Sequence, residues 1–126
     1  MAIPSGSGTE VLKRTTINSQ SNTATAFRWD GTMATTGTST YTVPANHIIT
    51  VISIIFSEQG GAAESISLLM NDGTNNISLM DETIPSYGAF VWNDKFVLTG
   101  GDKLITHTQT SASVDIILSY IDQDWS

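Results

Sequence analysis

The sequence contains no cysteine, which excludes a disulfide framework and any thiolate metal site. Charge is also scarce: Asp, Glu, Lys and Arg make up 13% of the 126 residues, against about 25% in ordinary globular chains. There are two histidines, His47 and His107, and neither sits in a local motif of metal ligation or catalysis. No P-loop, GxSxG, HExxH or dinucleotide fingerprint occurs, so neither an enzymatic activity nor a cofactor is expected. The longest apolar run, Ile48–Phe56, is broken by Thr50 and Ser53 and falls well short of the roughly 20 residues a spanning helix needs, so no membrane partner is expected. The opening MAIPSGSGTE has neither the positive region nor the apolar region of a secretory leader, and synthesis in the cytoplasm without general export is expected.

What is present is hydroxyl. Ser and Thr supply about a quarter of the chain, a composition suited to strands, where Thr is favoured and Lys and Glu are not. The net charge of −7 is unevenly placed. Up to Ser57, Lys13, Arg14 and Arg28 outweigh Glu10 and Asp30 by one, whereas beyond it Lys95 and Lys103 face ten acidic residues. An acidic body repels phosphate backbones, so nucleic acid is not an expected partner.

The segment around which the rest is organised is Tyr41–Ser57, YTVPANHIITVISIIFS. It reads as a short strand, a turn at Pro44-Ala45-Asn46, and a long strand. Ile48, Ile52, Ile54 and Phe56 are expected on one side of that strand, and Ile49, Val51 and Ile55 on the other. Apolar residues on both faces predict a central strand covered on both sides.

Short strands punctuated by turn signals follow. Ala24–Trp29 is closed by Asp30-Gly31, Glu64–Met70 and Asn76–Met80 flank Asn71-Asp72-Gly73, and Gly88–Trp92 is followed by Lys95–Leu98. Gly100-Gly101-Asp102 then precedes the hairpin of Lys103–Thr108 and Ser113–Ile121. Val114, Ile116, Leu118 and Tyr120 line one side of the last strand. No helical stripe of useful length appears, and no solenoid period. The pattern predicts an all-β, antiparallel, jelly-roll-like β-sandwich of about eight strands with an extended N-terminal arm. Residues 1–23 are expected as arm and linker, and 24–126 as the sandwich domain.

Candidate contact residues lie at the two ends. MAIPSGSG is either a disordered terminus or an arm that orders against a neighbour, with Ile3 and Pro4 as its anchor. Val11, Leu12, Lys13 and Arg14 continue it, either as a short strand or as more arm, and the Lys13-Arg14 pair suits an acidic protein surface. Trp125 in a polar tail is expected to be held by something, a neighbouring subunit being the natural candidate. Asp72 with Asn71, Asn75 and Asn76 invites a calcium reading. It lacks the spacing and terminal Glu of a calcium loop, and the hairpin already accounts for these residues, so no metal is expected. Asp81, Glu82, Asp94 and Asp102 are expected as solvated loop residues. Tyr41, Tyr87, Trp29, Trp92 and Trp125 suit sandwich core and subunit interface better than a sugar-stacking platform.

Several of these motifs together resemble small β-sandwich virion proteins of tailed bacteriophages, of cyanophage-like and other marine phages, which include capsid decoration (cement) and tail-associated proteins. The resemblance is carried by Val43-Pro44-Ala45 opening the long strand, by Ile84-Pro85-Ser86-Tyr87-Gly88, by Leu98 to Leu104, and by the closing apolar strand. It covers roughly Tyr41 to Asp122. It implies a virion structural protein on the outer capsid surface, a homo-oligomer with a trimer favoured, that clamps neighbouring copies of the major capsid protein. The alternative is a tail or head-fibre component that recognises a host glycan, with the loops Glu58–Ala63 and Asn71–Asn76 lining its groove.

Overall fold

The computed structural model describes residues 9–110 and 113–125, and every regular element among them is a strand. Nine strands run β1 (Thr9–Gln20), β2 (Thr25–Ala26), β3 (His47–Glu58), β4 (Glu64–Asn71), β5 (Asn76–Ile84), β6 (Ala89–Trp92), β7 (Phe96–Thr99), β8 (Lys103–Thr108) and β9 (Val114–Asp124). They form two antiparallel sheets. One has the order β1-β9-β3-β6, with β7 also on β3, and the other the order β2-β8-β4-β5. β6 and β7 share one edge of β3, β7 along Ile48–Val51 and β6 along Ile54–Ser57, and so act as one interrupted strand. Counted that way there are eight positions in two four-position sheets, with β1/β2, β3/β4 and β8/β9 each split between the sheets. This is the strand order of a jelly roll.

The core lies between the sheets. Ile17, Ile49, Val51, Ile54, Phe56, Val114, Ile116, Leu118 and Tyr120 come from the larger sheet, and Ile66, Leu68, Met80, Ile84 and Leu104 from the smaller. Phe27 and Trp29 enter from the irregular stretch after β2. The Trp29 ring meets Tyr120 edge-on at 5.1 Å, a preferred aromatic geometry. The Tyr120 hydroxyl accepts a hydrogen bond from the Gly31 N–H at 3.1 Å, and burial pushes its pKa up to about 12.

The central strand departs from simple alternation. Ile49 and Val51 are buried, and so are Ile54 and Phe56, residues of opposite parity. The register between β3 and β9 slips between Val51 and Ser53, so Ile52 is an extra residue. A bulge of this kind reverses which parity faces inward. The expected grouping of Ile48 and Ile52 with Ile54 and Phe56 is therefore corrected. The expected cover on both sides is corrected too: one face packs the core, and on the other Ile55 remains 41% exposed.

Residues 9–20, expected as arm and linker, are a twelve-residue edge strand. β1 pairs with β9 from Thr9↔Asp124 to Gln20↔Val114. Its sequence hides this because Thr15 and Gln20 share the buried side with Ile17. The Thr15 hydroxyl donates to the Thr32 carbonyl at 2.9 Å, and the Gln20 amide donates to the Ser21 and Thr23 carbonyls. Tyr41–Val43 forms no strand. Val43 instead donates its N–H to the Asp102 carbonyl and accepts one from Gly101. The expected strand at Ala24–Trp29 shrinks to Thr25–Ala26, because Phe27 and Trp29 turn into the core.

The bulge makes a prediction that plain alternation does not. Ile49→Ala and Ile54→Ala, of opposite parity, should each cost about 2–5 kcal/mol. Ile48→Ala and Ile55→Ala should each cost under about 1 kcal/mol. Urea denaturation of the four variants checks it, and a cost that followed one parity along the whole strand would contradict the bulge.

Candidate functional site: an apolar sheet face and its polar rim

Because β1 is a strand, its residues alternate, and the candidate contact residues separate accordingly. Leu12 and Arg14 lie on the outer face of the larger sheet, opposite Ile121 and Ser119. Lys13 lies on the other side, opposite Tyr120, and its ammonium is 3.0 Å from Asp122. Val11 shares that side, opposite Asp122, and is partly exposed. The structure therefore brings Val11 to Arg14 together along one edge but points the two cations apart. Trp125 follows Asp124, the residue paired with Thr9, and its N–H donates to the Asn46 carbonyl at 2.9 Å. The residue is half-buried, and its buried indole N–H meets no acceptor among the described residues. Ile3 and Pro4 lie outside the described residues.

Asp122 is 3% exposed and joins three strands. One carboxylate oxygen takes the Lys13 ammonium from β1, and the other lies 2.8 Å from His47 Nδ1 on β3. His47 Nε2 is 3.5 Å from Asp124. With carboxylates at both ring nitrogens, His47 is held as a clamp between strands, not presented to a substrate. His107 lies on the outer side of the smaller sheet, with Nδ1 near the Thr108 carbonyl at 3.3 Å.

Other acidic side chains are turned onto backbone. Glu58, at the end of β3, accepts N–H bonds from Gly60 (2.6 Å), Gly61 (3.1 Å) and Tyr87 (2.9 Å), which ties the β3–β4 and β5–β6 loops together. The Tyr87 N–H foremost, with those of Gly60 and Gly61, holds its carboxyl below the usual value against the opposing effect of desolvation. Glu64 accepts from the Gln109 and Thr110 N–H groups at 3.1 and 3.0 Å. Asp102, expected to be solvated, is buried and accepts the Thr99 N–H at 2.8 Å. The Asn71–Asn76 loop likewise spends its oxygens on itself. Asp72 accepts from Thr74 and Asn75, and Asn71 from Gly73. The Asn75 and Thr74 N–H groups keep the Asp72 pKa below its ordinary value.

The outer face of the larger sheet has a different character. Register places Leu12, Ile121, Thr50 and Val97 in one row across four strands, and Thr16, Ile117, Ile55 and Val91 in another. Leu12 is 71% exposed, Val97 54% and Val91 46%. Leu12 of the first row and, between the rows, Arg14, Ile52, Ser53 and Ser119 outline a shallow hollow that Lys13 also lines, with the bulge residue contributing apolar surface. The outer face of the smaller sheet carries hydroxyl and carboxylate pairs instead, Ser65 with Thr83 and Ser67 with Asp81. Sequence reading missed the apolar face because it assigned the second side of β3 to a covering layer.

No family model and no curated protein matches the sequence. Among solved structures, a chain of the Bacillus endospore appendages, a family of disulfide-linked pili, is 12% identical with a TM-score of 0.55, over 100% of this chain and 97% of that one. A chain from the acid-stable capsid of Helicobacter pylori bacteriophage KHP30 is 10% identical with a TM-score of 0.54, over 96% and 92%. The Drosophila NLP core, from a structure concerned with pentamer formation and histone binding, is 12% identical with a TM-score of 0.53, over 92% and 99%. At these identities the likeness is one of fold: this chain shares its β architecture with a phage capsid chain and a pilus chain.

A carboxyl whose pKa is lowered on folding contributes stability above its unfolded value, about 4.3 for Glu. The contribution is lost as pH falls through the lower folded value. Glu58→Gln should therefore lower the melting temperature at pH 7 and narrow the gap between melts at pH 7 and pH 3. Calorimetry across that range checks it, and an unchanged gap would mean that Glu58 carries no linkage.

Proposed function

We propose that this protein is a structural component of a bacteriophage particle, a capsid decoration (cement) protein that binds the outer capsid surface and clamps neighbouring major capsid proteins. The observation that carries the reading is the fold: two full sheets in jelly-roll order, in a chain that resembles a bacteriophage capsid chain over nearly the whole of both. The pilus likeness supports the same class of role, since a pilus is also built from repeated copies. The polar interior agrees with it: Glu58, Glu64, Asp102 and Asp122 are all spent on holding loops and strands in place. Such a protein acts by binding alone and catalyses no reaction.

In this reading the chain is a homo-oligomer, a trimer being the favoured count, and each subunit's modest contact with the shell is repeated around a symmetry axis. Arg14, exposed on the edge strand, and Trp125, half-buried beside it, remain the residues proposed to meet the capsid. Lys13 serves inside the chain.

The glycan-binding alternative is less well supported. Its two groove loops lie at opposite ends of the eight-residue strand β4, about 27 Å apart at roughly 3.4 Å per residue. Of its aromatic platform, Trp29 is core, Trp92 packs on Phe96 with its N–H on the Asp94 carbonyl, and Tyr87 is the one large aromatic standing clear, at 74% exposure.

Purified protein should bind expanded capsids that lack it, fail to bind immature ones, and raise the temperature at which the shell releases its DNA. Cosedimentation and a DNA-accessible dye measure both effects. Capsids that neither bind the protein nor gain heat resistance would refute the proposal.

A further inference from the structure

We propose that the outer face of the five-stranded sheet is the surface on which a second copy of this chain docks. The inference rests on the structural role proposed above and concerns a two-fold contact between copies, distinct from the contacts around a three-fold axis. The two rows, apolar but for Thr50 and Thr16, and the bulge residue Ile52 lie on four adjacent strand positions around Arg14, Ser119 and Ser53, so the apolar side chains are gathered on one face and not scattered. Isolated exposed apolar residues are ordinary, but a contiguous field of this kind marks an interaction surface.

Area and charge together select the occupant. Strands of eleven or twelve residues at three positions, with the two four-residue strands β6 and β7 along the fourth, make a face of at most roughly 19 by 37 Å at about 4.8 Å spacing and about 3.4 Å rise. That is about 700 Å², close to the roughly 800 Å² per partner of a stable protein interface. Nucleic acid is repelled by a chain of net charge −7. Two copies of so acidic a chain also repel one another, unless they meet where charge is sparse. The central part of this face meets that condition, because its charged residue is the cation Arg14, while Glu10 and Asp115 stand toward its two ends. Glu10 is already bonded to the Gln123 amide and Asp115 to the Ser19 N–H. The outer face of the smaller sheet is more polar, since Leu69 and Ile105 there stand beside His107 and the pairs Ser65–Thr83 and Ser67–Asp81.

The test is sedimentation equilibrium of the whole chain, the double variant L12K/I55K, and the control I77K, which alters an exposed residue of β5 in the other sheet. Wild type and control should associate, and the double variant should dissociate by about 100-fold or more, two tenfold steps for two ammonium groups facing apolar surface. Because the sequence has no cysteine, V97C alone should form a covalent dimer under mild oxidation, and I77C should not. That second readout holds even if the double variant fails to fold. A wild type that stays monomeric, a double variant that associates as tightly as wild type, or cross-linking through I77C in place of V97C would each overturn the inference. A monomer that still binds and stabilises capsids would overturn it while leaving the decoration role standing. A chain that pairs through this face yet ignores capsids would do the reverse.

Discussion

The extra residue at Ile52 is the constraint from which the two faces of the larger sheet follow. β3 carries more branched apolar residues than one face of a strand can hold, and its two halves have opposite parities. Without a bulge, burying Ile49 and Val51 would expose Ile54 and Phe56, or the reverse. With it, all four enter the core, and the surplus, Ile48, Ile52 and Ile55, is moved to the other side. β9 accommodates the irregularity because its own alternation is strict: Val114, Ile116, Leu118, Tyr120 and Asp122 all face inward. The regular strand therefore sets the plane, and the bulged strand fits against it. The surplus falls on the same side as Ile117 and Ile121 of β9 and Val91 and Val97 of the interrupted strand, so the apolar outer face is a consequence of how the core is filled.

A cysteine-free sandwich must fix its loops by other means, and here it uses buried carboxylates. Glu58 draws the β3–β4 and β5–β6 loops together, Glu64 reaches across to the loop after β8, and Asp102 closes its own turn. Each accepts backbone N–H groups that would otherwise lack partners near the sandwich ends. Asp122 does the same for strands. Without Lys13 and His47 it would be a buried charge with no compensation, and with them it links β1, β9 and β3. The acidic excess of the second half is thus partly internal. Glu58, Glu64, Asp102 and Asp122 belong to it, so the surface is less acidic than the sequence count implies.

The parts of this fold that were legible in the sequence are those in which side-chain pattern and backbone pairing coincide. β9, β8 and β4 alternate cleanly between buried and partly exposed residues, and the hairpin at Asn71-Asp72-Gly73 closes where its turn residues lie. β1 was obscured because its buried side is Thr15, Ile17 and Gln20, and a hydroxyl or an amide satisfied by a backbone carbonyl leaves no trace in hydropathy. Lys13 and Arg14 read as one basic cluster because they are adjacent, yet adjacency in a strand means opposite faces. Glu58 and Asp102 read as loop residues, and Glu64 as the start of a strand, because nothing local distinguishes a carboxylate that caps N–H groups from one that is solvated. The missing information is tertiary: Glu58 meets Tyr87, and Glu64 meets Thr110, across separations that no local window spans.

The apolar face is what turns a stable fold into a component of an assembly. A β-sandwich that ended its life as a monomer would gain solubility by placing Thr, Ser or Lys at positions 12, 55, 91 and 97, at no expense to the core, because none of these side chains reaches it. The chain holds Leu, Ile and Val there while its other sheet presents hydroxyls and carboxylates. Self-repulsion of a chain of net charge −7 opposes association everywhere, and it is screened within about 8 Å at physiological ionic strength. Apolar burial is not screened by salt at all. Contact through this face, whose charge away from the two ends is the cation Arg14 on the edge strand, therefore gains the hydrophobic term where the electrostatic penalty is smallest, and it leaves the acidic loops at the rim. An assembly formed that way presents several identical rims at once, which is the condition under which weak contacts to a repeating lattice add up to firm attachment.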